Sequence, residues 1–271
     1  MKPLVLRLER RPDQRLDVSA LIPERLAAMT AAEIARIELQ TTRVRVTVGD
    51  LFRIRMGDPQ QIRLEGDCDR LDLIGHGMTG GAIVVDGNAG AQAGRLLAGG
   101  RLTVTGNAGP WAGSGMTGGV VEIAGSAGDR LGGPLAGESA GMRGGVIVVR
   151  GDVGARAGDR MRRGTILVEG GAGACAGSRM IAGSLVVRRR AGPLPGYLMS
   201  RGTIVLADGA DTLSPTFVDC GVHDLVAQRL IAAFVATYSP KAAKIFRAPL
   251  RRLAGDMAVL GKGETFVPAA R

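Results

Sequence analysis

The sequence has very few aromatic side chains, which make up only 3% of its 271 residues. A compact globular core of this size normally takes much of its buried area from Phe, Tyr and Trp. The chain therefore has to build its core from small and β-branched side chains, which suits thin layers better than a thick globule. Aromatic rings are also too scarce to stack a series of bases, so a nucleic-acid surface is disfavoured.

Cysteine and long apolar runs are scarce as well. Cys68, Cys175 and Cys220 lie far apart and form no CxxC pair, so we expect small buried thiols in a reducing cytoplasm, with no disulfide and no metal. No apolar run approaches the roughly 18 residues of a membrane helix, and charges interrupt residues 1–17 where a signal peptide would need an apolar core. We therefore expect a cytoplasmic protein without a membrane segment.

Glycine and positive charge are abundant instead. The chain contains 43 glycines, more than twice the usual share of roughly 7%. Hydrophobic residues make up 45% and charged residues 22%, which is not the composition of a disordered chain, and no strict triplet pattern indicates collagen. The formal net charge of +10, from 35 Lys and Arg against 25 Asp and Glu, favours anionic partners.

A 19-residue repeat runs through the sequence from residue 74 onward. The large apolar residue that opens each unit recurs at intervals of 19, 19, 26, 19, 19 and 19, at Met78, Leu97, Met116, Met142, Met161, Met180 and Met199. The single long interval carries a seven-residue insertion near residues 131–139. Such a fixed period is typical of stacked repeat architectures.

Each unit continues with a short β-branched run, such as residues 83–85, and closes with a GxxGxxxG stretch. A short β-branched run between glycines predicts a strand between two turns. A strand this short buries a face only when it stacks on its own repeats, about 4.8 Å apart. The pattern therefore predicts an all-β solenoid, a β-helix of about seven 19-residue turns with Met/Leu and Ile/Val columns inside. Methionine is far more often a pliable core residue than a ligand of a soft metal, so we expect no metal site.

The two ends depart from this repeat. Residues 22–37 have helical spacing with a Thr30 cap, and residues 44–56 have the pattern of a strand. Residues 61–78 look like a degenerate first turn, with Gly66 in the place that Gly87 takes in the next turn.

The sequence therefore predicts three parts. They are a mixed α/β N-terminal cap over 1–60, a β-helix over 61–213 and a helical C-terminal tail over 214–271. The tail contains a helical pattern over 224–238 that stops before Ser239 and Pro240. Caps are expected because the open end of a solenoid exposes unpaired strand edges.

Few residues of the sequence are candidates for a catalytic site. Its two histidines, His76 and His223, are too few for the three-histidine zinc site of β-helix carbonic anhydrases, and a 19-residue turn does not divide into the hexads of β-helix acyltransferases. The GxxGxxxG stretches return in every turn without a helix behind them, so they are architectural rather than phosphate-binding. We predict no catalytic residue and no metal ligand, and keep His76 as the one candidate base.

Basic clusters are the strongest candidates for an interaction surface. One cluster consists of Arg160, Arg162 and Arg163, a second of Arg188, Arg189 and Arg190, and the tail carries Arg251 and Arg252. Residues one or two repeats apart lie on the same side wall of a solenoid, so we expect the first two clusters to form a stripe. Such a stripe suits a polyanionic ligand.

Three stretches together resemble one known family. GMxGG, strand and GxxGxxxG units recur over 61–209, GDLFRI precedes them at 49–54, and RRLAGDMAVLGKGE lies in the tail at 251–264. The chain resembles the C subunit of formylmethanofuran dehydrogenase, and specifically the bacterial branch of this family that belongs to formyltransferase/hydrolase complexes. The β-helix motif alone is shared with the C-terminal domain of glutamate synthase.

The resemblance implies a cytoplasmic complex of one-carbon metabolism that moves a formyl group between tetrahydromethanopterin and a furan-type carrier. It implies as partners a formyltransferase subunit and an amidohydrolase-like subunit, which carry the chemistry and the metals. This chain would be a non-catalytic scaffold with no cofactor of its own. Since such carriers bear anionic γ-glutamyl tails, we expect the two arginine clusters to contact the tail. Two alternatives stay open, a glutamate-synthase-type β-helix subunit of an amidotransferase assembly and an enzyme that uses His76.

Overall fold

The computed structural model describes residues 2–39 and 45–269. Within these ranges the chain is mostly β, with a 13-stranded sheet, two sheets of two strands each and a few helices. Residue 44 of the predicted strand, and residues 1, 40–44 and 270–271 of the predicted end domains, lie outside the described residues.

The N-terminal region consists of short elements. In chain order they are β1 (Pro3–Leu8), β2 (Leu16–Asp17), α1 (Pro23–Leu26), α2 (Ala31–Ala35), β3 (Glu38–Leu39), β4 (Val46–Thr47), α3 (Val48–Leu51) and β5 (Phe52–Arg55). β1 joins the large sheet between β5 and the first strand of the repeat region.

Two capping boxes explain where the sequence predictions for this region differ from the structure. The Thr30 hydroxyl accepts a hydrogen bond from the Glu33 amide at 3.3 Å, and the Glu33 carboxylate accepts one from the Thr30 amide at 2.7 Å. The predicted Thr30 cap is therefore confirmed, but its extended backbone divides the predicted helix over 22–37 into α1 and α2. A second capping box of Thr47 and Asp50 starts α3, so the predicted continuous strand over 44–56 is wrong in its middle.

The repeat region contributes one strand of the large sheet from each unit. These strands and the short β7 are β6 (Asp58–Glu65), β7 (Leu71–Asp72), β8 (Ala82–Asp86), β9 (Arg101–Val104), β10 (Val120–Ile123), β11 (Arg143–Val149), β12 (Arg163–Val168), β13 (Ser184–Val187) and β14 (Arg201–Leu206). β6 and β8 to β14 pair with each other in parallel and in chain order.

The pairing register follows the repeat. Leu102 pairs with Val121, its equivalent in the next unit, and Val121 pairs with Ile147, its equivalent in the unit after the insertion. The seven-residue insertion is therefore accommodated outside the strands, because the register before and after it is the same. The first turn is also in register, since Ile62 of β6 pairs with Ile83 of β8.

A second parallel ladder runs beside the sheet. It consists of single bridges between small residues of successive GxxGxxxG stretches, namely Cys68, Ala89, Ala108, Ala127, Val153, Ala172, Ala191 and Ala210. Each unit thus contacts the next at its strand and again in its glycine-rich turn. In the glycine-rich turns this close approach is possible because the side chains there are small.

The core is built from columns of equivalent residues. All seven residues that open the units, from Met78 to Met199, are completely buried. Ile83, Leu102 and Val121 are also completely buried, as are their equivalents in the following strands. The predicted interior columns are confirmed. Cys68 is buried as expected, whereas Cys175 and Cys220 are partly exposed.

The C-terminal region combines helices and strands. Its elements are β15 (Val218–His223), α4 (Val226–Tyr238), α5 (Pro240–Ala243), a 3₁₀ helix (Lys244–Arg247), β16 (Leu250–Gly255) and β17 (Lys262–Pro268). The helix predicted over 224–238 is present as α4. The tail predicted as helical is helical only in part, because β17 pairs in parallel with β14, and β16 and β15 extend the same sheet in antiparallel fashion.

The tail covers one outer face of the sheet. Val235 of α4 and Ala242 of α5 belong to one buried apolar cluster with Val148, Leu167 and Val186 of the central strands. The burial patterns of the strands differ accordingly. In β8 to β10, buried residues alternate with residues that are at least partly exposed, whereas β11 to β14 end in continuous buried runs. Continuous apolar runs are expected of strands that are buried on both faces.

Candidate functional site

The predicted stripe of arginines does not exist as a single column. Arg163 is the first residue of β12, whereas Arg188 follows the last residue of β13. The residue equivalent to Arg163 in the next unit is Ala182. Ala182 precedes β13, whereas Arg188 follows it. The two clusters therefore lie at opposite ends of their strands, and the stripe prediction is wrong.

Arg162 and Arg163 line an open groove of about 470 Å³ together with Arg143 and Arg201. Arg143 and Arg163 pair directly on adjacent strands, where neighbouring backbones are about 4.8 Å apart. The groove lining includes Ala182, whose small side chain separates Arg163 from Arg201 two units along. Sequence reasoning missed Arg143 and Arg201, although both lie within two residues of a methionine that opens a unit, as Arg162 and Arg163 do.

None of the four arginines of this groove forms an ion pair among the described residues, and only Arg143 acts on a carboxylate at longer range, by lowering the pKa of Glu138. We call Arg143, Arg162, Arg163 and Arg201 the arginine groove. Four guanidinium groups on one wall repel each other and attract carboxylates or phosphates, which they bind through paired N–H donors. The arginine groove is therefore a place where an anionic group would be held.

Two arginines of the second predicted cluster are bonded to other residues of the chain. Arg188 donates a hydrogen bond to the Glu169 carbonyl oxygen at 3.0 Å, and Arg190 forms an ion pair with Asp211 at 2.6 Å. Arg189 is exposed and has no ion pair among the described residues. Arg251 and Arg252 of the tail are paired as well, with Asp219 and Glu264. Apart from Arg189, these arginines have less freedom to bind a ligand than those of the arginine groove.

Arg160 is separated from its sequence neighbours and lies beside the insertion. It lines a cavity of about 440 Å³ between the wall and residues 134–139, and its guanidinium donates a hydrogen bond to the Glu138 carbonyl oxygen at 3.1 Å. Arg95 donates to the Glu138 carboxylate at 2.6 Å and holds the pKa of that carboxyl below its usual range. The insertion is therefore anchored to the wall by arginines from two other turns.

A buried carboxylate links the repeat region to the tail. Glu169 at the end of β12 accepts a hydrogen bond from the Ser239 hydroxyl at 2.6 Å and forms an ion pair with Arg150. Burial opposes ionisation of Glu169, but the bonds from Ser239 and Arg150 outweigh it, so the pKa of Glu169 lies below its usual range. Ser239 also caps α5 by accepting a hydrogen bond from the Ala242 amide at 3.1 Å.

His76, the one candidate base, lies half-buried in a turn between β7 and β8. Burial and the neighbouring Arg95 lower the pKa of its imidazole, while Asp17 acts in the opposite direction. In the described part of the chain the imidazole makes no hydrogen bond to a carboxylate that would orient it. The arrangement lacks the paired base and orienting group of a nucleophilic site.

The described residues contain no group of three or more His, Cys, Asp or Glu side chains that could hold a metal ion. No helix within residues 2–39 and 45–269 is long and apolar enough to cross a membrane.

Comparison with known proteins gives a relative that extends over nearly the whole chain. The chain is 50% identical over 264 residues to the C subunit of the formyltransferase/hydrolase complex Fhc of Methylorubrum extorquens, which is 97% of this chain and 99% of that protein. The structure matches one chain in the crystal structure of the formyltransferase/hydrolase complex from Methylorubrum extorquens in complex with methylofuran. That match has a TM-score of 0.95 and 43% identity, and it covers 98% of this chain and 100% of the other.

More distant relatives match part of the chain. It is 30% identical over 92 residues to the C subunit of the tungsten-containing formylmethanofuran dehydrogenase 2 of Methanococcus maripaludis, 33% of this chain and 34% of that protein. It is 35% identical over 81 residues to the C subunit of the molybdenum-containing formylmethanofuran dehydrogenase 1 of Methanothermobacter marburgensis, 29% of this chain and 20% of that protein. No protein-family model matches the chain. The resemblance inferred from the sequence is confirmed, and the chain belongs to the family of C subunits of formyltransferase/hydrolase complexes.

Proposed function

We propose that this chain is a non-catalytic scaffold subunit of a formyltransferase/hydrolase complex. The complex transfers a formyl group between tetrahydromethanopterin and a furan-type carrier in one-carbon metabolism. The observation that carries this proposal is the similarity to the Methylorubrum C subunit, which extends over 97% of the chain. The matching solved structure is a complex with methylofuran, a carrier of the furan type.

The scaffold role rests on a particular architecture. The parallel sheet and the parallel ladder of single bridges form the walls of a β-helix of about seven 19-residue turns. Residues 1–60 cap one end of it, residues 61–213 form the β-helix, and residues 214–271 close the other end and cover one wall. Such a stack presents long flat walls to several partners at once.

The partners in this proposal are a formyltransferase subunit and an amidohydrolase-like subunit, which carry the metals and the reacting groups of the complex. This chain binds no cofactor of its own, and the assembly works in the cytoplasm without nucleic acid or a membrane. Its role is to hold the two active sites at a fixed separation, so that a carrier bound to the complex reaches both.

In this proposal, arginines of the chain contact the polyglutamate tail of the carrier. Of the six arginines predicted for this contact, Arg162 and Arg163 are the best placed, because they lie in the arginine groove and have no ion pair among the described residues. Arg160, Arg188 and Arg190 already make hydrogen bonds to the chain itself. A run of carboxylates would satisfy the unpaired guanidinium groups of the groove.

The tail contact is tested with two double variants of equal charge change. We expect Arg162→Gln with Arg163→Gln to weaken binding of the carrier to the assembled complex and to reduce the dependence of that binding on salt. Arg188→Gln with Arg190→Gln, at arginines that pair within the chain, serves as the matched control and should have the smaller effect. Unchanged affinity and salt dependence in both variants would remove the tail from the proposal.

The assembly itself is tested by affinity purification of the tagged chain from its native cells, with identification of the co-purifying proteins by mass spectrometry. We expect a formyltransferase and an amidohydrolase-like protein. Recovery of glutamine amidotransferase or glutamate synthase subunits would instead support the amidotransferase alternative. A chain that purifies alone and loses an activity of its own in His76→Ala would contradict the scaffold role.

A further inference from the structure

Four arginines of the chain adopt a backbone conformation that arginine rarely takes. Among the described residues, eleven residues other than glycine have a positive φ, and four of these are arginines. They are Arg130, Arg156, Arg160 and Arg179, with φ values of 57°, 59°, 50° and 53°. This left-handed conformation is unfavourable for a residue with a Cβ.

All four strained arginines line the same cavity. It is the cavity of about 440 Å³ that the insertion closes on one side with residues 134–139. Backbone pairing between turns brings the arginines together: the Arg130 amide donates to the Ala155 carbonyl at 2.8 Å, and the Arg160 amide donates to the Ser178 carbonyl at 2.9 Å. Arg156 and Arg179 follow directly after those two carbonyl residues. We call this space the insertion cavity.

The fold does not require arginine at these places. Gln92, Trp111, Cys175 and Leu194 adopt the same left-handed conformation at the places equivalent to Arg130 and Arg156 in other turns. Leu96 and Leu198 do so at the places equivalent to Arg160 and Arg179. Arginine therefore occupies this conformation beside the insertion for a reason other than the geometry of the turn.

The charges of the insertion cavity do not balance. Asp159 is completely buried and accepts hydrogen bonds from the Ser178 hydroxyl at 2.8 Å and from the Arg179 guanidinium at 2.9 Å. Glu138 is neutralised by Arg95. Arg130 and Arg156 have no carboxylate partner among the described residues. Each carboxylate of the cavity is thus already paired, and an excess of positive charge faces the space between the wall and the insertion.

We infer that the insertion cavity is a binding site for a compact anion with at least two negative charges, such as a phosphate or a polycarboxylate group. Guanidinium groups bind such oxyanions through pairs of parallel N–H donors. Asp159 and Ser178 position Arg179, and the Glu138 carbonyl oxygen positions Arg160. Arg130 and Arg156 supply the free charge. The site is separate from the arginine groove and does not depend on the proposed function of the chain.

Isothermal titration calorimetry on the full-length chain tests this site, with inorganic pyrophosphate and citrate as the two probes. The test variant carries Arg130→Gln and Arg156→Gln. Glutamine is tolerated at these places, since Gln92 holds the equivalent position with a φ of 61°. The matched control carries Arg7→Gln and Arg25→Gln, which removes the same charge from two exposed arginines of the N-terminal region.

We expect one of the probes to bind the unaltered chain and the control variant, and to bind the test variant at least about tenfold more weakly, as loss of bonds to charged groups predicts. Tighter binding of pyrophosphate would identify a phosphate site, and tighter binding of citrate a carboxylate site. Equal affinity for the test and control variants would overturn the inference, as would failure of both probes to bind the unaltered chain.

Discussion

Glycine is required at particular residues of the repeat because neighbouring turns approach each other closely there. Gly119 has a φ of 72°, and a Cβ at this position would lie 2.7 Å from the carbonyl oxygen of Gly100. That oxygen accepts the hydrogen bond of the Val120 amide at 3.0 Å, so it moves away only if the pairing between turns is disturbed. Gly77 has a similar φ of 66°, but nothing lies within 4 Å of its Cβ position.

We predict that Gly119→Ala lowers the free energy of unfolding by about 3 kcal/mol or more, because it combines backbone strain with a clash against the preceding turn. Gly77→Ala adds only the strain and should cost about 1 to 2 kcal/mol. Urea unfolding followed by circular dichroism compares the two variants. Equal losses would show that close packing between turns does not constrain residue 119.

The sequence was sufficient to predict the buried residues of the repeat but not the arginines that the fold brings together. Met116 and Met142 were predicted correctly because burial of a column depends only on spacing within the unit. The exposed arginines obey no such rule. Arg143 and Arg156 stand alone in the sequence, and only the stacking of turns places each beside arginines from other units.

At the scale of single elements, the tail causes equivalent outward-facing residues to differ in burial between β8 and β13. Val84 of β8 and Val186 of β13 belong to the same outward-facing column of the parallel sheet. Val186 is completely buried in the cluster with α4 and α5, whereas Val84 is only partly buried. Identical substitutions at these two residues therefore measure the contribution of the tail.

We predict that Val186→Ala lowers the free energy of unfolding by about 2 kcal/mol, from lost burial of two methyl groups and the cavity that they leave. Val84→Ala should cost less than about 1 kcal/mol, because less buried area is lost. Thermal unfolding measures both changes, and limited proteolysis of the tail should accelerate only in Val186→Ala. Similar losses and similar proteolysis would mean that the tail does not pack on this wall.

The junction between β12 and the tail should depend on pH through Glu169. Its pKa is lower in the folded chain than in the unfolded chain, so ionised Glu169 stabilises the fold above its unfolded pKa. That contribution is lost as the pH falls through the lower pKa of the folded state. We expect Glu169→Gln to cost about 2 kcal/mol at neutral pH, from the weakened bonds to Arg150 and Ser239.

The difference in unfolding free energy between Glu169→Gln and the unaltered chain isolates this carboxyl from the other acidic groups. Measured by thermal unfolding from neutral to acidic pH, the difference should shrink as Glu169 becomes protonated. A difference that stays constant over this range would assign the effect of the substitution to packing rather than to charge.

Elements inside the repeat were predictable and the strands of the tail were not, for a physical reason. Each central strand pairs with its own copy in the neighbouring unit, so one pattern predicts every strand. β17 instead pairs with β14, whose first residue Arg201 lies opposite Lys262, and no repeated unit predicts that contact. The continuous apolar runs of β11 to β14 were the one available sign that something covers their outer face.

At the scale of the whole molecule, the described residues form a sheet of 13 strands whose two edge strands are β5 and β15. The net charge of +10 is distributed so that, among the described residues, the four arginines of the arginine groove and Arg130 and Arg156 of the insertion cavity form no ion pair. Two separate basic sites of this kind suit a protein that contacts anionic groups.

Dependence of assembly on this chain tests its scaffold role most directly. The formyltransferase and amidohydrolase-like partners would be co-expressed with and without the chain, and the molar mass of the products measured by size-exclusion chromatography with light scattering. We predict a single complex when the chain is present and separate partners of lower mass when it is omitted. A complete complex that assembles and couples formyl transfer without the chain would contradict the scaffold role.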